Sequence, residues 1–450
     1  MIFSTELKWK QVKSLDKKQK ETKSAPASKT ISGPSISPAR IAAYEVLLKI
    51  EKNAAYSSVL LPLAEEKLEP RDRGLCHELV LGVLRTKLRL DFIIAKFVQK
   101  KIDDEIRIIL RLGLYQLIFL NRIPQHAAIN DSVNLTRFVR KNSAKGFVNA
   151  VLRGYLREPV EMSFDDDLER VSVETSHPKW LLQKWAEQFG PERAASIAAA
   201  NNSSVAADFR FTAKTTEAVR RSIEGMSAEE RPAFLRELSA NGKVYFQDRA
   251  SQMVAEIVDL QPGESFLDVC AAPGSKLTQI ATKSDTSVIG GDINFQRTAF
   301  ISDSAKRQGL KNVNVLQFDS AVALPFAAGS FDAVLVDAPC SGTGTIRNNP
   351  EIRYTLSDSD FAELAIRQSA ILSNAADCVK AGGRLIYSTC SLETEENELV
   401  IEDFLRRNQR FVRVDAAADS RFVTGRGFVR TFPDRDDVAG FFVAVLRKIN

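Results

Sequence analysis

Two cysteines of this chain stand in matching surroundings: Cys340 in Asp337-Ala338-Pro339-Cys340-Ser341-Gly342, and Cys390 in Tyr387-Ser388-Thr389-Cys390-Ser391. A thiolate is a strong nucleophile, able to form and release a covalent bond to an electron-poor carbon. Each motif follows an apolar run, 331–336 and 385–387, of the kind that forms a buried parallel strand. Ligands of open α/β sheets bind beyond the carboxyl ends of the strands, so both thiols are expected at one edge.

A third segment points to the same edge. Phe266-Leu267-Asp268-Val269-Cys270 reads as a strand, and Ala271-Ala272-Pro273-Gly274-Ser275-Lys276 as the tight turn into a helix. Gly274 lacks a Cβ, which permits unusual backbone angles and close approach of a ligand. The turn has neither the Gly-Lys-Ser/Thr of a phosphate-binding loop nor the three spaced glycines that admit a pyrophosphate. A nucleoside cofactor without phosphates fits better, and S-adenosylmethionine is the common one. Asp292, after Gly290-Gly291, is placed to accept from ribose hydroxyls, and Asp319 from an adenine amino group. Asp337 lies nearest the transferred methyl group and the substrate. Asp268, Asp292, Asp319 and Asp337 thus mark the ends of four successive strands.

Such a pocket suits methylation of carbon 5 of cytosine, a poor nucleophile on its own. A thiolate adding at carbon 6 pushes electron density onto carbon 5, which can then attack the sulfonium methyl. The reaction needs a thiolate, a proton for the ring nitrogen and a base for the carbon-5 hydrogen. Lys276 and the sulfonium are candidates to favour the thiolate, and Asp337, carrying a proton when substrate is bound, is the candidate donor to the ring. Cys76, Cys270 and Cys378 lie within strands or helices and read as small buried hydrophobes.

The elements that must position these groups follow from the patterning. The 450 residues, 44% hydrophobic, imply several domains with packed cores. Residues 1–37 read as a disordered basic tail; residues 1–38 carry the whole net charge of +5, in eight lysines against Glu6, Asp16 and Glu21. Residues 38–157 have helical periodicity, with Leu75, Leu79 and Val83 on one face and Ile106, Leu110 and Leu117 on another, implying five to seven helices. No acid occurs between Asp131 and Glu158, while Arg137, Arg140, Lys141, Lys145, Arg153 and Arg157 do, a stretch suited to RNA phosphates. Residues 158–243 read as an acidic linker and a small, mostly helical subdomain with a strand near 208–212. From 244 to 450 strands alternate with helices, at 265–270, 287–292, 313–318, 331–336, 383–387, 411–414, 428–431 and 441–446. This predicts a mostly parallel, doubly wound α/β sheet of Rossmann-like form, ending in an antiparallel hairpin at one edge.

Composition excludes several classes. No apolar run approaches the ~18 residues that span a bilayer, and no apolar core of a signal peptide stands near the start. Five cysteines form no C-x-x-C pair, and His77, His126 and His177 are scattered and read as surface or capping residues, so no metal is expected. Reduced thiols fit a cytoplasmic enzyme.

The paired cysteine motifs resemble those of RNA (cytosine-5) methyltransferases, and 266–276 resembles their S-adenosylmethionine loop. Gly82-Val83-Leu84-Arg85-Thr86 and Gly113-Leu114-Tyr115-Gln116-Leu117 resemble the NusB-like all-α RNA-binding domain of one branch, the RsmB (Sun, Fmu) family. That resemblance covers about 38–450 and implies methylation of a cytosine of 16S ribosomal RNA, free or partly assembled, with no obligate protein partner. It implies that Cys390 is the nucleophile and that Cys340 assists release. It further implies that Cys270, Ala271, Ala272, Pro273, Gly274, Ser275, Lys276, Asp292, Asp319 and Asp337 hold the cofactor, and that the segment containing Arg347 and Arg353 lies near RNA. Ser275 stands where a second glycine is usual, which would weaken cofactor binding if that position needs positive φ. Arg210 stands near a usual asparagine, a change expected to touch RNA contacts or packing. DNA cytosine-5 enzymes resemble Pro-Cys-Gln with Glu-Asn-Val, and amino-group enzymes Asn/Asp-Pro-Pro-aromatic; neither pattern occurs here. The remaining rivals are a tRNA or another rRNA target, and a noncatalytic RNA-binding or antitermination factor.

Overall fold

The structure, a computed structural model, describes residues 36–449. The predicted tail thus lies almost wholly outside the described residues. The chain forms two compact units, one of 36–202 with 348–355, the other of 203–347 with 356–449.

In the first unit seven α-helices run from Pro38–Asn53 to Lys145–Arg157. Their starts follow local chemistry: Glu69 is extended ahead of Pro70, and Pro124 caps Gln125–Phe138. Leu79, Val83, Ile106 and Leu110 are buried together, as their spacing requires. The two glycine-bearing segments pack on each other: a Cβ on Gly82 would fall 2.0 Å from Tyr115 Cζ. Tyr115 then donates to Glu78 Oε1 at 2.5 Å. Buried Arg111 forms a bidentate pair with Asp91 at 2.7 Å for both bonds.

Three further helices, Asp167–Thr175, Lys179–Phe189 and Pro191–Ala200, belong to this unit, as does the short helix Ile352–Thr355. The stretch expected as one subdomain over 158–243 therefore divides at Asn202. Inside this unit Arg353 is 0% exposed, with Nη1 donating to Thr175 O at 3.0 Å and Asn202 Oδ1 at 2.9 Å. His177 is wholly buried rather than a surface group, and burial followed by the charge of Arg353 pushes its pKa well below the usual range. Tyr354 donates to Leu84 O and Ser176 O, and Glu351 accepts from Ser57 N–H and Oγ.

The second unit begins with an antiparallel pair, β1 (Phe209–Phe211) and β2 (Val244–Phe246). The main sheet contains β3 (Phe266–Asp268), β4 (Val288–Asp292), β5 (Val313–Gln317), β6 (Phe331–Asp337) and β7 (Val379–Thr389). It is completed by β8 (Phe411–Val414), β9 (Val429–Arg430) and β10 (Phe442–Lys448). The order is β5-β4-β3-β6-β7-β10-β8, with β9 also on β10. The first five are parallel; β10 is antiparallel to β7, β8 and β9. The expected terminal hairpin exists as β9–β10, but β10 lies inside the sheet and β8 takes the edge. Residues alternate between two buried faces. Val334 and Val336 pack with Ile371 and Leu372 on one side, Ala333 and Leu335 with Val254 and Leu277 on the other. The chain leaves β3 in one direction and β6 in the other, so the crevice between their carboxyl ends is the topological switch point.

Candidate active site

Beyond β3 the chain enters the helix Ser275–Lys283 through Gly274, at φ +98° and ψ 9°. The N–H of Gly274 donates to Ala271 O at 2.6 Å, and its carbonyl accepts from Thr278 N at 2.9 Å and Thr278 Oγ1 at 2.6 Å. The left-handed backbone falls on Gly274 alone. Ser275 is the first helical residue and has no positive φ, so the weakening feared from that serine does not follow. Cys270 and Ala272 are half-buried, Ala271 is buried and Pro273 is exposed, and Ala271 N–H reaches Gly291 O across to β4 at 2.8 Å.

The acids stand at the expected ends. Asp292 accepts from Asn294 N at 2.8 Å, and Asp319 from Ala321 N at 2.9 Å, each through Oδ1. Burial, foremost, raises the pKa of Asp292. Asp268 is 1% exposed; burial first, then Asp337, pushes it up to about 8. A crevice floored by a left-handed glycine turn and rimmed by Asp292 and Asp319 fits a nucleoside with free hydroxyls and an amino group, and fits no phosphate.

At the end of β6, Asp337 Oδ2 accepts from Lys276 Nζ at 2.6 Å and Oδ1 from Ser388 Oγ at 2.8 Å. Burial disfavours the charge on Lys276, but Asp337 and then Cys390 and Asp268 raise its pKa above the ordinary value. Both oxygens of Asp337 are thus engaged, one by each donor.

The two thiols meet. Cys340 Sγ lies 3.3 Å from Cys390 Sγ, and Gly344 N–H donates to Cys390 O at 2.9 Å. Both residues are half-buried and both thiols are free. Their surroundings differ. The hydrogen bond to Cys390, then burial, then the charges of Cys390 and Glu396, push Cys340 well above the usual thiol range. Burial likewise raises Cys270 and takes Cys76 to about 12, as inert interior thiols require.

The residues expected at RNA divide. Arg137 and Arg140 are exposed on the first unit, Lys145 is half-exposed, and Lys141 is paired with Asp103 at 2.7 Å. Arg347 and Arg353 are corrected: both are buried, Arg347 against Asp437 at 2.8 Å and Arg353 on the backbone carbonyls described above, so neither presents its guanidinium to a phosphate.

Sequence reasoning missed one group and left the part played by another open between RNA contact and packing. Arg210 on β1 donates to Gln247 Oε1 at 2.7 Å, Thr278 Oγ1 at 2.8 Å and Ser275 O at 3.2 Å, tying β1 to the first turn of the cofactor helix. Burial lowers its pKa to about 10. Its place between Phe209 and Phe211 in an alternating strand was the available signal. Glu396 is the group missed, a buried carboxylate between the two cysteine turns.

Comparison with known proteins agrees with this geometry. The family model described as 16S rRNA methyltransferase RsmB/F matches residues 255–447, and that of the NusB family matches 37–157. The probable ribosomal RNA small subunit methyltransferase B of Bacillus subtilis is 36% identical over 438 residues, covering 90% of this chain and 98% of its own. The ribosomal RNA small subunit methyltransferase B of Pseudomonas putida is 33% identical over 440 residues, covering 91% and 98%. Among solved structures, PH0851 superposes with a TM-score of 0.78 at 25% identity, over 92% of this chain and 99% of that one. A methyltransferase homologue from Pyrococcus horikoshii gives 0.52 at 25% identity, over 64% and 100%. S-adenosylmethionine is the cofactor that such enzymes share and that the crevice fits. With the helical domain, the α/β sheet and relatives matched over 90% of this chain in agreement, the chain belongs to the ribosomal RNA small subunit methyltransferase B family.

Proposed function

We propose that this protein methylates carbon 5 of a specific cytosine in 16S ribosomal RNA through a covalent bond between Cys390 Sγ and carbon 6 of the base. The observation that carries the reading is the pair of thiols 3.3 Å apart beside the Lys276–Asp337 ion pair. Bound S-adenosylmethionine supplies the methyl group as an electrophilic carbon. The thiol next to the cofactor turn, Cys270, is not a member of this pair; burial, then Asp268, Asp292 and Asp337, raises its pKa.

The residues take distinct parts. Cys390 adds to carbon 6, its electron pair forming the S–C bond while the ring nitrogen takes up a proton from Lys276, which Asp337 orients. The sequence expectation instead makes Asp337 the donor, protonated when substrate is bound; without substrate its oxygens accept from Lys276 and Ser388. Once carbon 5 carries the methyl group, Cys340 gives up its own proton to solvent and, as thiolate, removes the carbon-5 proton. The resulting electron pair re-forms the ring double bond as the S–C bond breaks, Cys390 leaves as thiolate, and the ring nitrogen returns its proton to Lys276. Exposed Arg137 and Arg140, with Lys145, offer phosphate contacts to RNA. The base must leave its stack to reach the crevice, which favours free or partly assembled RNA as substrate.

The test incubates the purified protein and S-adenosylmethionine with total RNA from a strain lacking the enzyme, followed by bisulfite sequencing. One newly protected cytosine in 16S rRNA is expected; protection in tRNA or at another rRNA site would move the substrate, and none at all would favour the noncatalytic reading. Cys390→Ala is expected to abolish turnover and adduct, and Cys340→Ala to accumulate a covalent RNA complex. Methylation by Cys390→Ala would refute the assignment of the nucleophile.

A further inference from the structure

Between the two cysteine turns lies the carboxylate of Glu396, 0% exposed. Its Oε1 accepts from the N–H of Ser341 and from Gln368 Nε2, both at 2.9 Å. Its Oε2 accepts from Ser341 Oγ and Ser391 Oγ, both at 2.5 Å. Ser341 follows Cys340 directly and Ser391 follows Cys390, so one side chain grips the residue after each thiol. The two serine hydroxyls are themselves 3.1 Å apart. Gln368 also donates to Pro339 O at 3.0 Å, which fixes the turn on the other side of Cys340.

Glu396 is itself held. Its carbonyl accepts from Tyr387 OH at 2.6 Å, and its neighbour Asn397 bonds Thr389 Oγ1 at 2.5 Å and Ser391 O at 2.9 Å. Four donors converge on one side chain, and only a carboxylate, with acceptors alone, meets all four; an amide would set its NH2 against two donors. Hydrogen bonds to a charged acceptor are short and strong, and inside a dry site they fix geometry.

We propose that Glu396 is a positioning residue that sets the spacing of the two thiols by bonding the residue after each. The inference rests on the two-thiol mechanism above and deepens it. Glu396 does not touch the reacting atoms; it acts through Ser341 and Ser391. The grip is unequal. Three of its four bonds, counting Gln368 through Pro339, bear on the turn of Cys340, and one on the turn of Cys390. Loosening it therefore slows release of the adduct more than its formation.

The experiment compares Glu396→Gln, Ser341→Ala and Ser391→Ala in the full chain with the parent, using 16S-derived RNA and S-adenosylmethionine, and with Cys340→Ala in parallel. Turnover, KM for RNA, cofactor affinity, melting temperature and the adduct on denaturing gels are read together. Glu396→Gln is expected to lower kcat by roughly 10- to 100-fold with KM and cofactor affinity within about twofold, and to accumulate adduct. Ser341→Ala is expected to accumulate adduct, and Ser391→Ala to form adduct slowly without accumulation. Should Glu396→Gln fail to fold, the two serine variants decide alone. Parental kcat in the variants that fold, or losses with the same adduct partition in both serine variants, overturns the proposal. If Cys340→Ala forms no adduct, the covalent reading itself falls; if it forms adduct while the other variants leave the partition unmoved, only the role of Glu396 falls.

Discussion

Replacing Gly274 by alanine tests whether the turn after β3 is built as the crevice requires. At φ +98° an L-residue meets its own backbone, a cost of about 1–2 kcal/mol. The new Cβ would also stand 3.2 Å from Ile301 Cγ2 and 3.3 Å from Ile301 Cα. The second contact is to backbone at the centre of a packed helix, which yields little, and overpacking of this kind adds about 1–2 kcal/mol. The sum, about 2–4 kcal/mol, corresponds to a melting temperature lower by roughly 5–15 °C for a unit of this size. Relaxing the strain moves the Gly274 carbonyl that accepts from Thr278, and with it the first turn of the helix that carries Lys276. A loss of about 1.4 kcal/mol in binding, tenfold in affinity, is the least expected for S-adenosylhomocysteine by titration calorimetry. Ser275→Gly is the companion, expected to leave affinity within about twofold because the serine already has helical backbone angles. An alanine variant that melts within about 2 °C of the parent and binds as tightly would refute the reasoning.

Two other perturbations follow from buried charge. Asp268 keeps its proton up to about pH 8 in the folded state but releases it near 3.8 when unfolded, so stability falls as pH rises between those values, by at most about 1.4 kcal/mol per unit. Asp268→Asn should remove that slope in denaturant titrations across the window, and equal slopes in variant and parent would refute the assignment. Arg353→Met leaves Thr175 O and Asn202 Oδ1 without their donor and should cost about 3 kcal/mol of stability, while RNA affinity below the melting transition stays within about twofold. A marked loss of RNA affinity with unchanged stability would restore Arg353 as a phosphate contact.

What was legible in the sequence was what depends on near neighbours. The strands showed because a sheet covered on both faces demands unbroken apolar runs, as at 333–336, and the acids at their ends showed because a strand end is a local event. The sequence also carried the antiparallel character of the last strands but not their order, since pairing β10 with β7 rather than leaving it outside depends on partners more than fifty residues away. Arg353 misled and Glu396 went unnoticed for one reason. Each is a charged residue in a polar stretch, which ordinarily means a solvated face. Each is buried because donors or acceptors from distant segments converge on it: Thr175 and Asn202 for Arg353, Ser341 and Gln368 for Glu396. No periodicity records such convergence.

The same convergence distinguishes two chemically identical thiols. Lys276 keeps its positive charge chiefly through Asp337, with Cys390 a further neighbour that raises its pKa. Cys340 faces the buried carboxylate of Glu396 and shares a hydrogen bond with Cys390, both of which favour its neutral form. On the proposed mechanism the hold on Cys340 ends once Cys390 has attacked. When Cys390 becomes a thioether bonded to the base, it loses its charge and its capacity to hold the thiol of Cys340, and the largest cause of that thiol's reluctance to ionise is gone. Attack by one cysteine thereby prepares the other as the base for release, and only the contribution of burial and Glu396 remains to keep that base strong.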